Sequence, residues 1–210
     1  MTRETGPTEW GESVGVGPWE GPWPDEPHFD RELLAHGDRH NVVDSYRYWT
    51  VEAIVADLDQ RRHPFHVAIE NFGHDLNIGT VVRTANAFLA AEVHIVGRRR
   101  WNRRGAMVTD RYQHLRHHAG IGGLLRFAAD RGLPVVAVDN APGAVPLETV
   151  ELPRECLLLF GQEGPGLTDE AHAGAAMTVA IAQFGSTRSI NAGVAAGIAM
   201  HAWVRQHARI

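Results

Sequence analysis

The sequence predicts an α/β fold built on a parallel sheet, with helices on both faces and a short extension ahead of it. Three observations carry this reading. From residue 65 onward, short aliphatic runs alternate with stretches of helical period. The run Cys156–Phe160 is apolar on both faces, as in a strand buried inside a parallel sheet. Polar, glycine-containing turns follow the strands, where open α/β sheets hold their ligands.

The elements follow in order. Residues 1–28 are rich in Gly, Pro and Trp without apolar periodicity, and read as an irregular arm with Trp10, Trp19 and Trp23 as candidate anchors. Residues 31–36 and roughly 49–61 read as helices. In the second, Thr50 is the N-cap and Val51, Ile54, Val55 and Leu58 share a face. His66–Glu70 begins the sheet. Residues 77–90 form a helix with Ile78, Val81, Val82, Ala85 and Leu89 on its apolar side. Glu92–Val96 is a strand, and 97–118 is an Arg-rich loop region. A helix at 121–131, a strand at 134–138, the Cys156–Phe160 strand, a short helix at 168–175, a strand at Met177–Ile181 and a final helix at 191–207 complete the chain. The organisation is thus an arm at 1–30, a helical extension at 31–64 and an α/β domain at 65–210. There is no internal repeat.

Composition narrows the class. With 44% apolar residues in 210, the chain can bury a full core. Cys156 is the lone cysteine, which argues against a disulfide framework and for a reducing compartment. It reads as a small core residue, because no His-plus-acid arrangement accompanies it. Neither a secretory leader nor a membrane-length apolar stretch is evident, so a cytoplasmic protein is expected. The net charge is −5, yet residues 1–30 hold one Arg against seven acids. Residues 98–118 hold seven Arg and one Asp, a local excess that suits a polyanion. Every basic residue besides histidine is Arg; only the clustering is read as functional.

Three polar clusters carry the chemistry. Asn77-Ile78-Gly79-Thr80-Val81-Val82-Arg83-Thr84 opens a helix, and Arg83 leaves it on a different face from Ile78 and Val82. An Arg in an apolar helix needs a polar destination, either a salt bridge or a site. Phe160-Gly161-Gln162-Glu163-Gly164-Pro165-Gly166-Leu167 follows the buried strand; it is neither a phosphate-binding Walker loop nor the dinucleotide fingerprint. Ser189-Ile190-Asn191 leads into a helix of small residues (Ala192, Ala195, Ala196, Gly197, Ala199). Ser189 is placed as its cap and Asn191 in its first turn. Such small residues suit a tightly packed internal helix or a close helix pair between two subunits.

Taken together, the three clusters resemble the signature motifs of the SpoU (TrmH-like) RNA methyltransferases of the SPOUT superfamily. The match runs over about residues 66–207, in the forms Asn-x-Gly-x-x-x-Arg-Thr, Phe-Gly-x-Glu-x-x-Gly-Leu and Ser-Ile-Asn before Val-Ala-Ala-Gly. The resemblance implies a Rossmann-like SPOUT fold with a C-terminal trefoil knot and a homodimer. It also implies an S-adenosylmethionine-dependent enzyme methylating ribose 2′-hydroxyls of transfer or ribosomal RNA. It assigns Arg83 to activation of the hydroxyl, supported by Asn77, and Glu163, Ser189 and Asn191 to the polar site. Val138, Gly161, Ile181, Ser189 and Ile190 are then the cofactor-binding positions.

Arg98, Arg99, Arg100, Arg103 and Arg104, with Trp101 among them, combine phosphate-binding groups with a ring that can stack on a base, and are the expected RNA contacts. No metal is expected: His114, His117 and His118 have helical ligand spacing, but no fourth ligand is apparent and Arg111 and Arg116 would repel a cation. Two other classes compete. A non-catalytic RNA-binding protein on the same fold is disfavoured because the motif polar residues are all present. A nucleotide-dependent oxidoreductase lacks the glycine fingerprint.

Overall fold

The computed structural model describes residues 15–71, 77–162 and 166–209. The chain divides into two compact units, Met1–Ala56 and Asp57–Ile210.

In the first unit, aromatic rings take the place of a regular core. Trp19 packs edge-on against Phe29 and Tyr48, at ring separations of 5.9 and 5.3 Å, and its Nε1 donates to the Pro22 carbonyl. Trp19 therefore anchors its segment as expected, while Trp23 is largely exposed and Trp10 lies outside the described residues. Helix α1 (Arg31–His36) starts where the Asp30 carboxylate accepts from the Glu32 and Leu33 amides. Asp38 is fully buried, and its carboxylate accepts from the amides of His40 and Tyr48. Helix α2 (Val51–Asp59) begins at Thr50, whose Oγ1 accepts from the Ala53 amide.

The second unit runs β1 (Phe65–Asn71), α3 (Ile78–Ala87), β2 (Val93–Gly97), β3 (Leu115–His118), α4 (Ile121–Asp130), β4 (Val135–Val138), β5 (Val145–Pro146), β6 (Cys156–Phe160), α5 (Asp169–Gly174), β7 (Met177–Ala180) and α6 (Ala192–His207). Among the described residues, seven strands form one sheet in the order β3-β2-β1-β6-β4-β7-β5, and every pairing is parallel. Alternation along the strands builds two cores. Val67, Ile69, Val136, Val138, Leu158 and Phe160 face α3 and α6, together with Met200 and Trp203. Ala68, Val96, Val135, Ala137, Leu157 and Leu159 face α4 and α5. Each fully buried Leu of β6 contributes about 1.5–3 kcal/mol, and all five β6 residues are buried. Burial also pushes the Cys156 thiol up to about 12, leaving it an inert core residue.

Three features differ from the sequence reading. Residues 97–118 are not all loop: Leu115–His118 joins the sheet edge as β3, registered Val93 to Leu115. Its Leu-Arg-His-His sequence is too polar to reveal an edge strand. That also removes the helical spacing assumed for His114, His117 and His118. Finally, α3 ends at Ala87, and Leu89 lies beyond it in the left-handed region at φ 56.

One buried polar ladder crosses the α4 face. His66 Nδ1 lies 3.0 Å from His94 Nε2, and His94 Nδ1 lies 3.0 Å from His118 Nε2, under the ring of Phe127. Burial, followed by nearby Arg131 and Arg116, pushes His66 down to about 4; burial pushes His94 down to about 2. His66 and His94 are therefore neutral in ordinary buffers, and burial lowers His118 as well.

The segment Arg103–Ala106 forms a short 3-10 turn seated on α3. Gly79 permits this contact, since a Cβ there would meet the Ala106 nitrogen at 2.7 Å and the Gly105 Cα at 2.8 Å. Gly79→Ala is expected to destabilise the protein by about 1–3 kcal/mol, because both obstacles are backbone. Urea unfolding midpoints of the two proteins check this.

Candidate functional site

The carboxyl ends of β4 and β6 are neighbours in the sheet, with Val138 registered to Phe160. Here the chain must leave a fully buried layer, and its exposed backbone groups need partners. After β6 the chain doubles back: Gln162 and Gly166 exchange amide and carbonyl bonds, each 3.2 Å. A Cβ on Gly161 would sit 2.3 Å from the Gly166 carbonyl carbon, so only glycine allows this approach. Gly166 itself takes φ +73, the left-handed region.

Asp139, the first residue past β4, holds the turn in place. Its Oδ2 accepts from the Leu167 amide at 3.1 Å and lies 3.1 Å from His172 Nε2, while Oδ1 accepts from the Asn140 amide. Glu70, near the end of β1, grips the start of α5: it accepts from the Thr168 amide at 3.0 Å and from Thr168 Oγ1 at 2.7 Å. Burial raises the Glu70 carboxyl above its ordinary range, despite the Thr168 donors.

A third segment closes the site. Asn140 Nδ2 donates to the Arg188 carbonyl at 3.0 Å, tying the 182–190 loop to the end of β4. Asn191 is the N-cap of α6: its Oδ1 accepts from the Gly193 and Val194 amides. Ser189 lies two residues before that cap, not at it as the sequence suggested. The Asn191 Nδ2 donates to Asn77 Oδ1 at 2.8 Å, so the first and third clusters meet 114 residues apart in sequence.

These ends enclose a cavity of about 190 Å³. Val138, Gly161, Ile181, Ser189 and Ile190, the cofactor positions expected from the resemblance, all line it, as does Asn191. Asn77 reaches its rim through Asn191. Glu163 lies outside the described residues. Arg83 is exposed on α3, is not in the cavity wall, and has no ion-pair partner among the described residues. Arg98, Arg99, Arg100, Arg103 and Arg104 are exposed but also do not line the cavity. Arg103 is partly engaged, 3.4 Å from Asp110 and 5.7 Å from the Trp101 ring. Trp101 packs against the core, so the free stacking ring expected at this loop is not free.

Sequence reasoning missed Asp139, Asn140, Gln183 and Glu70. A signal existed for Asp139 and Asn140, a polar pair directly after a buried strand. None existed for Glu70, whose partner Thr168 is 98 residues away.

Part of the small-residue surface of α6 packs inside the chain, while Ala192 and Ala195 line the cavity. Gly193, Ala196, Ala199, Met200 and Trp203 are buried, and a Cβ on Gly193 would lie 3.2 Å from Thr80 Cγ2 of α3. Val194 and Ile198 remain exposed on the other side.

Residues 64–201 match the model of the SpoU rRNA Methylase family. The chain is 28% identical over 158 residues to the tRNA (guanosine(18)-2′-O)-methyltransferase of Escherichia coli (strain K12), covering 73% of this chain and 69% of that one. Among solved structures, one addressing the 2-OH methylation of C/U34 on tRNA is 30% identical, with TM-score 0.60, over 69% of this chain and 96% of that one. The AdoMet-bound rRNA methyltransferase from Sinorhizobium meliloti is 26% identical, with TM-score 0.62, over 72% of this chain and 59% of that one.

Loss of the cap in Asn191→Ala is expected to lower stability by about 0.5–2 kcal/mol, read by thermal unfolding. Glu70 supplies a pH test. Its folded pKa is raised, so its contribution to stability is full below the ordinary value of 4.5 and is lost as pH rises through the folded value. The melting temperature of Glu70→Gln relative to wild type is therefore expected to climb from pH 4 to pH 8.

Proposed function

The chain belongs to the SpoU rRNA methylase family, and from that premise we propose that it methylates a ribose 2′-hydroxyl of a transfer RNA with S-adenosylmethionine. One observation carries the reading: the second and third motif segments line a single cavity, and the first reaches its rim through the Asn191–Asn77 hydrogen bond. The first curated relatives act on transfer RNA by name, which favours that substrate over ribosomal RNA.

The cavity wall fits the cofactor. Val138, Phe160, Ile181 and Ile190 offer an apolar slot, and the buried Gln183 Oε1 in the same wall has no hydrogen-bond partner among the described residues, leaving an acceptor for an amino group. Bound there, S-adenosylmethionine supplies an electrophilic methyl group on a sulfonium centre. The chain's own residues position and stabilise. Asp139 holds Leu167 and Glu70 holds Thr168, and Asn140 and Asn191 hold the 182–191 segment, so hydrogen bonds place these residues before a substrate arrives. Such preorganisation can supply up to about 7–11 kcal/mol of the barrier. The attacking hydroxyl must shed its proton to a base or water as the new O–C bond forms.

Arg83 is exposed and presents a planar guanidinium whose N–H groups suit an oxyanion. Its role in this reading is to neutralise the developing alkoxide and an adjacent phosphate, and not to act as base. Because it lies outside its own chain's cavity wall, it serves the site of a second copy. A homodimer pairing the Val194 and Ile198 side of α6, and the trefoil knot implied by the resemblance, belong to the same proposal. The exposed arginines of 98–104 bind the RNA backbone. No helix among the described residues is long and apolar enough to cross a membrane.

Calorimetry with S-adenosylmethionine is expected to show binding by wild type and near-normal binding by Arg83→Ala, while methyl transfer to a transfer RNA transcript falls by about 10²-fold or more. Retained turnover would remove Arg83 from the reaction. Neutralising Arg99, Arg100, Arg103 and Arg104 is expected to raise the KM for RNA and flatten its salt dependence by about 0.7 in log–log slope per lost phosphate contact. Mass-spectrometric mapping of ribose methylation, with and without the protein, decides between transfer and ribosomal RNA.

A further inference from the structure

At the amino ends of β1 and β2, opposite the cavity, His66, His94 and Glu92 turn three ligand atoms toward one another. His66 Nδ1 and His94 Nε2 are 3.0 Å apart, and each lies 3.9 Å from Glu92 Oε2. A triangle with those sides has its centre about 2.1 Å from every corner, the bond length of a transition-metal ion to imidazole nitrogen or carboxylate oxygen. From this geometry we propose that His66, His94 and Glu92 form a second site, which binds a borderline divalent transition ion of the zinc class.

The surroundings are those of a metal site. Glu92 Oε1 accepts from Arg116 Nε at 2.8 Å, which turns Oε2 toward the two imidazoles. His118 Nε2 lies 3.0 Å behind His94 Nδ1, the partner a ligating histidine needs on its other nitrogen. Occupancy requires no change of charge on the rings. The proton shared between His66 and His94 moves to His94 Nδ1, which donates to His118 Nε2, and the proton of His118 then sits on Nδ1. All three rings stay neutral. A cleft of about 390 Å³ lined by His66, Glu92, His114, Arg116 and Arg131 adjoins the ligands and leaves room for a water as the fourth. Two nitrogens among three donors disfavour Mg²⁺ and Ca²⁺, which require oxygen donors, and the Arg116 charge is offset by its pairing with Glu92 Oε1. The ion would tie two strands of the sheet, far from the strand ends that form the cavity, so its role is structural. The histidines that sequence spacing pointed to are not these: only His118 takes part, from behind.

The probe is Co²⁺, whose visible absorption reports coordination. Untagged protein is stripped with a chelator, exchanged into buffer and titrated with CoCl₂. The expected result is a visible band saturating at one ion per chain and displaced by Zn²⁺, together with a rise in melting temperature on adding ZnCl₂. Glu92→Gln and His66→Gln, checked for native circular dichroism, are expected to bind at least about tenfold more weakly. His114→Ala, which alters the cleft but not the triangle, is expected to keep the band. The wild-type titration decides without any variant. Absence of a saturating band, or only the weak spectrum of octahedral surface-bound Co²⁺, overturns the proposal and leaves a hydrogen-bonded histidine ladder. A band of equal strength and affinity in a well-folded Glu92→Gln overturns it too.

Discussion

Strand β6 is hydrogen-bonded to parallel neighbours along both edges and packed under helices on both faces, and that confinement positions everything that follows from it. No residue from Cys156 to Phe160 touches water appreciably, so the chain meets solvent only at the strand's ends. Because β1, β4 and β7 run the same way, their carboxyl ends open at the same side of the sheet. Backbone groups released there must be satisfied again, and the residues that satisfy them are the residues of the site. Asp139, Asn140, Glu70 and Asn191 are each a solution to this accounting problem. Asp139, Asn140 and Glu70 tie a turn or helix start to a strand end, and Asn191 joins the start of α6 to Asn77 at the start of α3.

The glycines of the motifs belong to the same logic. Gly161 lets the returning chain lie directly on the strand end, and Gly79 lets the 103–106 turn lie on α3. Both glycines allow a close backbone approach, and Gly161 also lines the cavity. Motif positions thus mix residues that shape the walls with residues that face the cavity, and geometry separates them. Arg83 stands apart from both kinds, exposed and away from its own cavity. That placement is why a second copy of the chain enters the proposed reaction.

The two ends of the strands divide the chemistry. The carboxyl ends carry the cavity; the amino ends carry the buried histidines. Hydrogen bonds run from ring to ring among the imidazoles that meet Phe127 at a tilt, and in the proposed site nitrogen atoms of the same ladder take an ion instead. A carboxylate turned toward them by Arg116 completes the set.

Much was legible in the sequence alone. Short aliphatic runs and period-3.6 patterns located the main strands and helices to within a few residues, because burial on one face or both leaves a trace in residue order. The three clusters identified the family, and the positions Val138, Gly161, Ile181, Ser189 and Ile190 all reached one cavity wall. What the sequence could not decide was anything resting on partners distant in the chain. Strand β3 is an edge strand whose polar residues carry no apolar alternation. Trp101 looked like a free ring until the core took one of its faces. Glu70 is tied to Thr168 across 98 residues, Asn191 to Asn77 across 114, and His66, His94 and Glu92 converge from two strands. Local order records which face a residue prefers; only the closed sheet, which fixes register between strands, determines whom it meets.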